Sequence, residues 1–164
     1  MDADTNSTII EKEIDNLVFK FCLLNEKGEP ATVFKEGENF TFNFSIQNFY
    51  RNPISVPTHF VNNDFYRVYK KDNTDMGKPW AGIWCEFSLT PQEITIAPNE
   101  IRLLNCPWRL TESNQPDYPL CMNESRNILS KGDYYTSINT QFDYVVNSKN
   151  QSVKLNLRIN FKIQ

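Results

Sequence analysis

No run of apolar residues in this chain approaches the roughly 18 that a membrane-spanning helix needs, and no signal-peptide pattern opens it. There is no stripe of Lys and Arg either. The formal net charge is −3, with 17 basic against 20 acidic residues. A nucleic-acid backbone would require the opposite balance on at least one face, so nucleic acid is excluded as a partner. The charges are interspersed, as on an ordinary solvated surface. Histidine occurs once, at His59, and there is no Cys-x-x-Cys pair. Zinc ligation of the usual spacing is therefore excluded. A chain of this length can bury about 70% of its unfolded surface and needs no cofactor to fold. No span beyond about ten residues shows a helical period, and neither an internal repeat nor a second-domain boundary is visible.

What is present is aromatic. Twelve Phe, seven Tyr and three Trp suit a thick β core. Residues 40–48 alternate without a break, which sends Phe40, Phe42, Phe44 and Ile46 to one face and Thr41, Asn43, Ser45 and Gln47 to the other. Residues 16–24 read as a strand with Leu17, Phe19 and Phe21 on one face, and residues 132–146 and 153–163 read as long strands. Shorter strands are expected over 54–61, 64–70, 80–87, 94–96 and 101–108. Pro57 should keep its strand at an edge or a bulge, and Gly82 suggests a second bulge. Turn chemistry falls at 25–30, at 35–38 and at 97–100, where Asn99 tolerates the left-handed region. The segment 109–130 is a long polar crossover, with a helical turn expected over 123–129. The spacing predicts an all-β, immunoglobulin-like antiparallel β-sandwich of about eight or nine strands. It would occupy residues 12–164 behind a polar N-terminal tether, residues 1–11, in which Met1 reads as an added initiator.

The four cysteines, Cys22, Cys85, Cys106 and Cys121, allow two disulfides in three connectivities, or remain buried thiols. As a single bridge, Cys106–Cys121 would close the Pro-rich crossover and contribute about 3 kcal/mol. Five Asn-x-Ser/Thr sequons, at Asn6, Asn39, Asn43, Asn123 and Asn150, read as background in a chain so rich in these residues.

The order of motifs is more specific than any one of them. Gly37-x-x-Phe40-x-Phe42-x-Phe44-x-Ile46-x-Asn48 is followed by Pro53-Ile54-x-Val56 and by Phe65-x-x-x-Val68-Tyr69. Next come a Gly77-x-x-x-Ala81 strand carrying Trp84 and the run Ile94-x-Ile96-x-Pro98-Asn99-Glu100. Trp108 and Leu129-x-x-Gly132-x-Tyr134 complete the series. Over residues 33–142 this resembles the BsuPI family, named after an intracellular proteinase inhibitor, and related bacterial Ig-like domains. The resemblance implies a sandwich fold and, in its sharpest form, proteinase inhibition. The cysteines and the 109–130 insertion depart from the family pattern and point to an exported relative. Composition and the polar start also resemble mature Bacteroides-type lipoproteins, in which a lipid anchor would sit on a preceding N-terminus.

Function is expected in loops. Phe49, Tyr50 and Arg51 lie between strands, where aromatic and Arg side chains make binding hot spots. Trp108, Arg109 and Tyr118 belong to the long crossover, and long loops on rigid scaffolds carry function. Trp80, Trp84 and Trp108 would serve a carbohydrate-binding module if exposed, and core residues otherwise. Gly132-Asp133-Tyr134-Tyr135 has the form of a tyrosine corner. An enzyme would have to use His59, or a carboxylate pair among Asp64, Asp72, Asp75, Asp117 and Asp133, and no nucleophile or orienting carboxylate is evident beside His59. The expectation is therefore a non-enzymatic module without cofactor. It would bind a protein partner, or alternatively a glycan, at the periplasm or cell surface, with the cytoplasm as the alternative compartment.

Overall fold

The structure is a computed structural model that describes residues 7–83, 93–117 and 119–164. Among them thirteen strands occur: β1 (Ile9–Ile14), β2 (Leu17–Leu24), β3 (Val33–Phe34), β4 (Thr41–Asn48), β5 (Ile54–Pro57), β6 (Val68–Lys70), β7 (Asp75–Gly77), β8 (Gly82–Ile83), β9 (Glu93–Ile96), β10 (Ile101–Pro107), β11 (Leu120–Cys121), β12 (Gly132–Val146) and β13 (Lys149–Ile163). A 3-10 turn spans Thr58–Phe60, and no described segment is an α-helix. No described helix is long and apolar enough to cross a membrane.

Alternation dictates the layers. In β2 and β4 the register sets Phe19 opposite Ile46, Phe21 opposite Phe44 and Leu23 opposite Phe42, and all six are wholly buried. With β1 and β10 these strands form one sheet, in the order β1-β2-β4-β10. The second sheet runs β3-β13-β12-β5-β9, with β6 against β12 and β7 against β6. Its inward row is Ile138, Phe142, Tyr144, Leu155, Leu157 and Ile159, again buried. The two rows meet as a sandwich. Phe19 meets Phe142 edge-on at 5.0 Å, and Phe40 lies 5.4 Å from Phe161. Each such aromatic pair adds about 0.5–1.5 kcal/mol beyond its buried area. The expected all-β, Ig-like sandwich is thus the fold, although several expected strands are divided into short pieces.

The β12–β13 hairpin is the spine. Its register is unbroken from Gly132↔Ile163 to Val146↔Lys149. Asn147 and Ser148 close it with φ of 52° and 61°. Two successive positive φ values define a type I′ turn, whose twist matches that of the strands. Tyr134 Oη donates to the Ser130 carbonyl at 2.6 Å, the back-bond expected of the tyrosine corner.

Several expectations are corrected. The tether was expected to run through Glu11, but β1 begins at Ile9 and pairs with β2, because Ile10 enters the core. Pro57 does not mark an edge. β5 lies between β9 and β12, its pairing with β12 is confined to Ser55↔Val145, and Pro57 closes the strand before the 3-10 turn. Its missing N–H therefore interrupts no ladder on that side. Residues 64–67 are turn rather than strand. Tyr66 there adopts φ of 61°, a region costly for a bulky side chain, yet its ring is fully buried 4.7 Å from Phe42. Its hydroxyl donates to the Leu104 carbonyl, so tertiary packing holds a conformation that local preference opposes. Residues 123–129 form no helical turn. Of the expected strand over 80–87, the part beyond Ile83 lies outside the described residues.

The expected Cys106–Cys121 bridge is absent. Cys106 is a free, buried thiol, pushed up to about 12 by burial. It sits on the inward face of β10, sealed in the core with Leu104. Cys22 is likewise free and buried. Cys121 is disulfide-bonded, and in β11 it stands opposite Gly82 of β8. The fourth cysteine, Cys85, lies outside the described residues.

Candidate interaction surface

The two candidate loops stand at opposite ends of the sandwich. Phe49 follows the C-terminal end of β4, whereas Trp108 follows the C-terminal end of β10, antiparallel to β4. Eight residues of strand separate them by about 27 Å. They do not form one site.

At the β10 end the residues are structural. Trp108 is 2% exposed, stacks on Phe40 at 5.8 Å and donates from Nε1 to the Asn127 carbonyl. Arg109 is stapled to the β3–β4 loop. Its backbone N–H donates to Asn39 Oδ1 at 2.9 Å, Asn39 Nδ2 donates to its carbonyl at 2.8 Å, and its guanidinium donates to the Gly37 carbonyl. Tyr118 lies outside the described residues. Trp80 is buried as well, with Nε1 donating to the Phe65 carbonyl at 2.6 Å. Trp84 lies outside the described residues. The Trp-based glycan reading therefore has no exposed ring among those described.

At the other end the loop after β4 is held from within. Asn48 is wholly buried. Its Nδ2 donates to the carbonyls of Asn52 and Ile96, both at 3.0 Å, while its Oδ1 accepts from the Tyr50 N–H at 2.9 Å. One side chain thus fixes both arms of the loop and ties them to β9. The Tyr50 hydroxyl lies 2.9 Å from that of Tyr144. Burial, and then this neighbour, raise the Tyr144 hydroxyl well above its ordinary range. Of the three expected residues, Tyr50 is an anchor, and Phe49 and Arg51 are displayed outward.

Sequence reasoning missed two neighbours of Phe49. Ile101 and Leu103 of β10 point to the outer face of the same sheet, where Ile101 stands opposite Gln47. Phe49, Ile101 and Leu103 are 49%, 53% and 43% exposed. Alternation sends Ile101 and Leu103 outward from β10, an edge strand whose only described strand partner is β4, and Phe49 follows the end of β4 that pairs with Ile101. Asp117 caps part of that edge by exchanging bonds with the backbone of Asn105. The signal was present in the alternation of Ile101 and Leu103. It was obscured because Leu104 follows directly, so the sequence does not say which of the two neighbouring leucines faces inward.

His59 does have a carboxylate beside it. Its Nε2 lies 2.6 Å from Asp143 Oδ2. Asp143 is lowered to about 2 by hydrogen bonds from Gln141, Ser152 and His59, in that order. Ser152 bonds the carboxylate and not the ring, so the order of a Ser–His–Asp triad is not formed. Three of the expected carboxylate candidates also have structural roles. Arg67 clamps Asp64 and Asp75 at 3.4 and 2.9 Å, and Asp72 caps its own turn through Thr74. Among the described residues no group of His, Cys, Asp and Glu gathers as metal ligands would.

Fold and surface define a β-sandwich that displays a pre-organised loop beside an apolar strand edge. No family model matches the chain, and no curated protein matches it.

Proposed function

We propose that this protein is a non-enzymatic interaction module that binds a protein partner through Phe49, Arg51, Ile101 and Leu103. The carrying observation is the exposure of Ile101 and Leu103 on the edge strand β10 and of Phe49 at the adjoining end of β4, in a loop locked by the buried Asn48. Exposed apolar clusters of this kind mark protein contacts. An aromatic and an Arg on a rigid loop suit a hot spot, because little entropy is lost when the partner docks. The free side of β10 suits pairing with an extended segment of the partner.

Proteinase inhibition is the sharpest form of this reading. The resemblance to the BsuPI family and the loop held by Asn48, with Phe49 and Arg51 exposed, support it. The disulfide at Cys121 supports an oxidising compartment, and hence the periplasm or cell surface. A panel of serine, cysteine and metalloproteinases assayed at micromolar protein tests the inhibitor form. Inhibition that is lost in Phe49→Ala and Arg51→Ala supports it, and no inhibition across the panel removes it. The broader binding reading then rests on the crosslinking measurement that closes the Discussion.

A further inference from the structure

A second site lies on the outer face of the other sheet. A groove of about 370 Å³ crosses β12, β13 and β3 there and reaches Lys71, just after β6. At its centre is Tyr135. The Tyr69 ring stacks against it at 5.3 Å and 20°, and the Arg158 guanidinium lies 3.9 Å from its ring centre. The strand order β6–β12–β13 puts Tyr69 and Arg158 on opposite sides of Tyr135. Tyr135 is pinned by its hydroxyl to Asn73 Oδ1 at 2.5 Å. Arg158 Nε donates to Asn160 Oδ1 at 3.1 Å, which fixes the plane of the guanidinium. Its two terminal nitrogens have no partner among the described residues.

Lys71 and Lys162 line the same groove. None of the three cations enters an ion pair with a described carboxylate. Asp133 is the one acidic residue of the lining, and it sits opposite Lys162 in the register without pairing with it. Three unpaired cations against one carboxylate leave a positive groove. A guanidinium held over an aromatic ring presents a fork of donors, the geometry suited to a carboxylate. Val33, half exposed at the rim, offers an apolar contact, and Asn160 and Thr32 offer groups for hydroxyls.

We propose that this groove binds the carboxylate of an acidic saccharide, with Arg158 as the anchoring residue and Lys71 and Lys162 as supporting charges. The placement favours a compact ligand over an extended peptide. The groove lies on the sheet face, where β12 is already paired on both sides, with β13 and with β6, so its side chains rather than its backbone are left to recognise a ligand. Its volume falls in the range of small-ligand sites.

The test is a titration followed by backbone amide shifts, with trigalacturonate, neutral galactotriose, acetate and inorganic phosphate as probes. Trigalacturonate should shift amides within 132–136 and 158–162, should weaken as salt rises, and should lose about tenfold in affinity in Arg158→Ala. Arg158→Lys, which keeps the charge and loses the fork, should fall between. Arg158 is exposed, so both variants should melt as the parent does. Equal binding of galactotriose, equal binding of acetate or phosphate, no shifts in those segments, or an unaffected Arg158→Ala would each overturn the proposal.

Discussion

At the scale of single residues, the fold rests on a few buried polar groups whose satisfaction can be read atom by atom. Asn48 makes three bonds from a fully buried position. Asn48→Ala strands two carbonyls and one N–H, so chemical denaturation should show a loss of about 2–4 kcal/mol. Thr136 is the opposite case. It is wholly buried on the inward face of β12, and its Oγ1 has no partner. Thr136→Val keeps the shape and removes the unmet hydroxyl, so it should raise stability by about 1 kcal/mol, seen as a melting point higher by about 2–4 °C. Asp143 makes stability depend on acid. Its folded value, about 2 against an ordinary 3.8, means that its contribution is complete above pH 4 and is lost as pH falls towards 2. Stability measured down that limb should fall less steeply in Asp143→Asn than in the parent, and an unchanged limb would refute the assignment.

At the scale of elements, legibility followed periodicity. β4, β12 and β13 were readable because burial alternates with exposure over eight or more residues, so a register error would expose a whole row of apolar side chains, whereas β2 was readable from Leu17, Phe19 and Phe21 although Val18 and Cys22 of its other face are buried too. The elements that misread are those in which a distant contact overrides the local pattern. Tyr66 breaks its strand because its ring and hydroxyl are bound by β4 and β10. Pro57 sits inside a sheet because β12 reaches β5 at one residue only. Trp108 and Arg109 read as binding residues because the sequence does not reveal that Phe40, Asn39 and Gly37 receive them. Half of the loop site was legible, namely Phe49 and Arg51. Ile101 and Leu103 needed the sheet order, since nothing local distinguishes an edge strand from a central one. The β12–β13 turn offers a test at this scale. Ser148 holds φ of 61°, a conformation glycine adopts at no steric cost, so Ser148→Gly should stabilise the hairpin by about 0.5–1 kcal/mol. Faster hydrogen exchange along β12 and β13 in that variant would contradict the turn geometry.

At the scale of the whole molecule, the sandwich is a stiff frame whose two outer faces differ in chemistry. One carries an apolar edge patch beside the Phe49–Arg51 loop, and the other carries the basic groove around Tyr135. The thiol state reports on the assembly as a unit. Cys22 and Cys106 are buried and free while Cys121 is bonded. Unfolding in denaturant without reductant should make Cys22 and Cys106 titratable while Cys121 stays protected, and reductant should expose Cys121 as well. Four thiols before reduction would withdraw the support for an oxidising compartment. The central claim is that the Phe49 end meets a protein. A photo-crosslinking residue placed at Phe49, with a control placed at the exposed Lys20 of β2, and irradiated in intact cells, tests it most directly. The account predicts one discrete protein adduct from position 49 that weakens when Ile101→Ser is added, and none from position 20. No adduct at 49, or the same adducts from both positions, would contradict it.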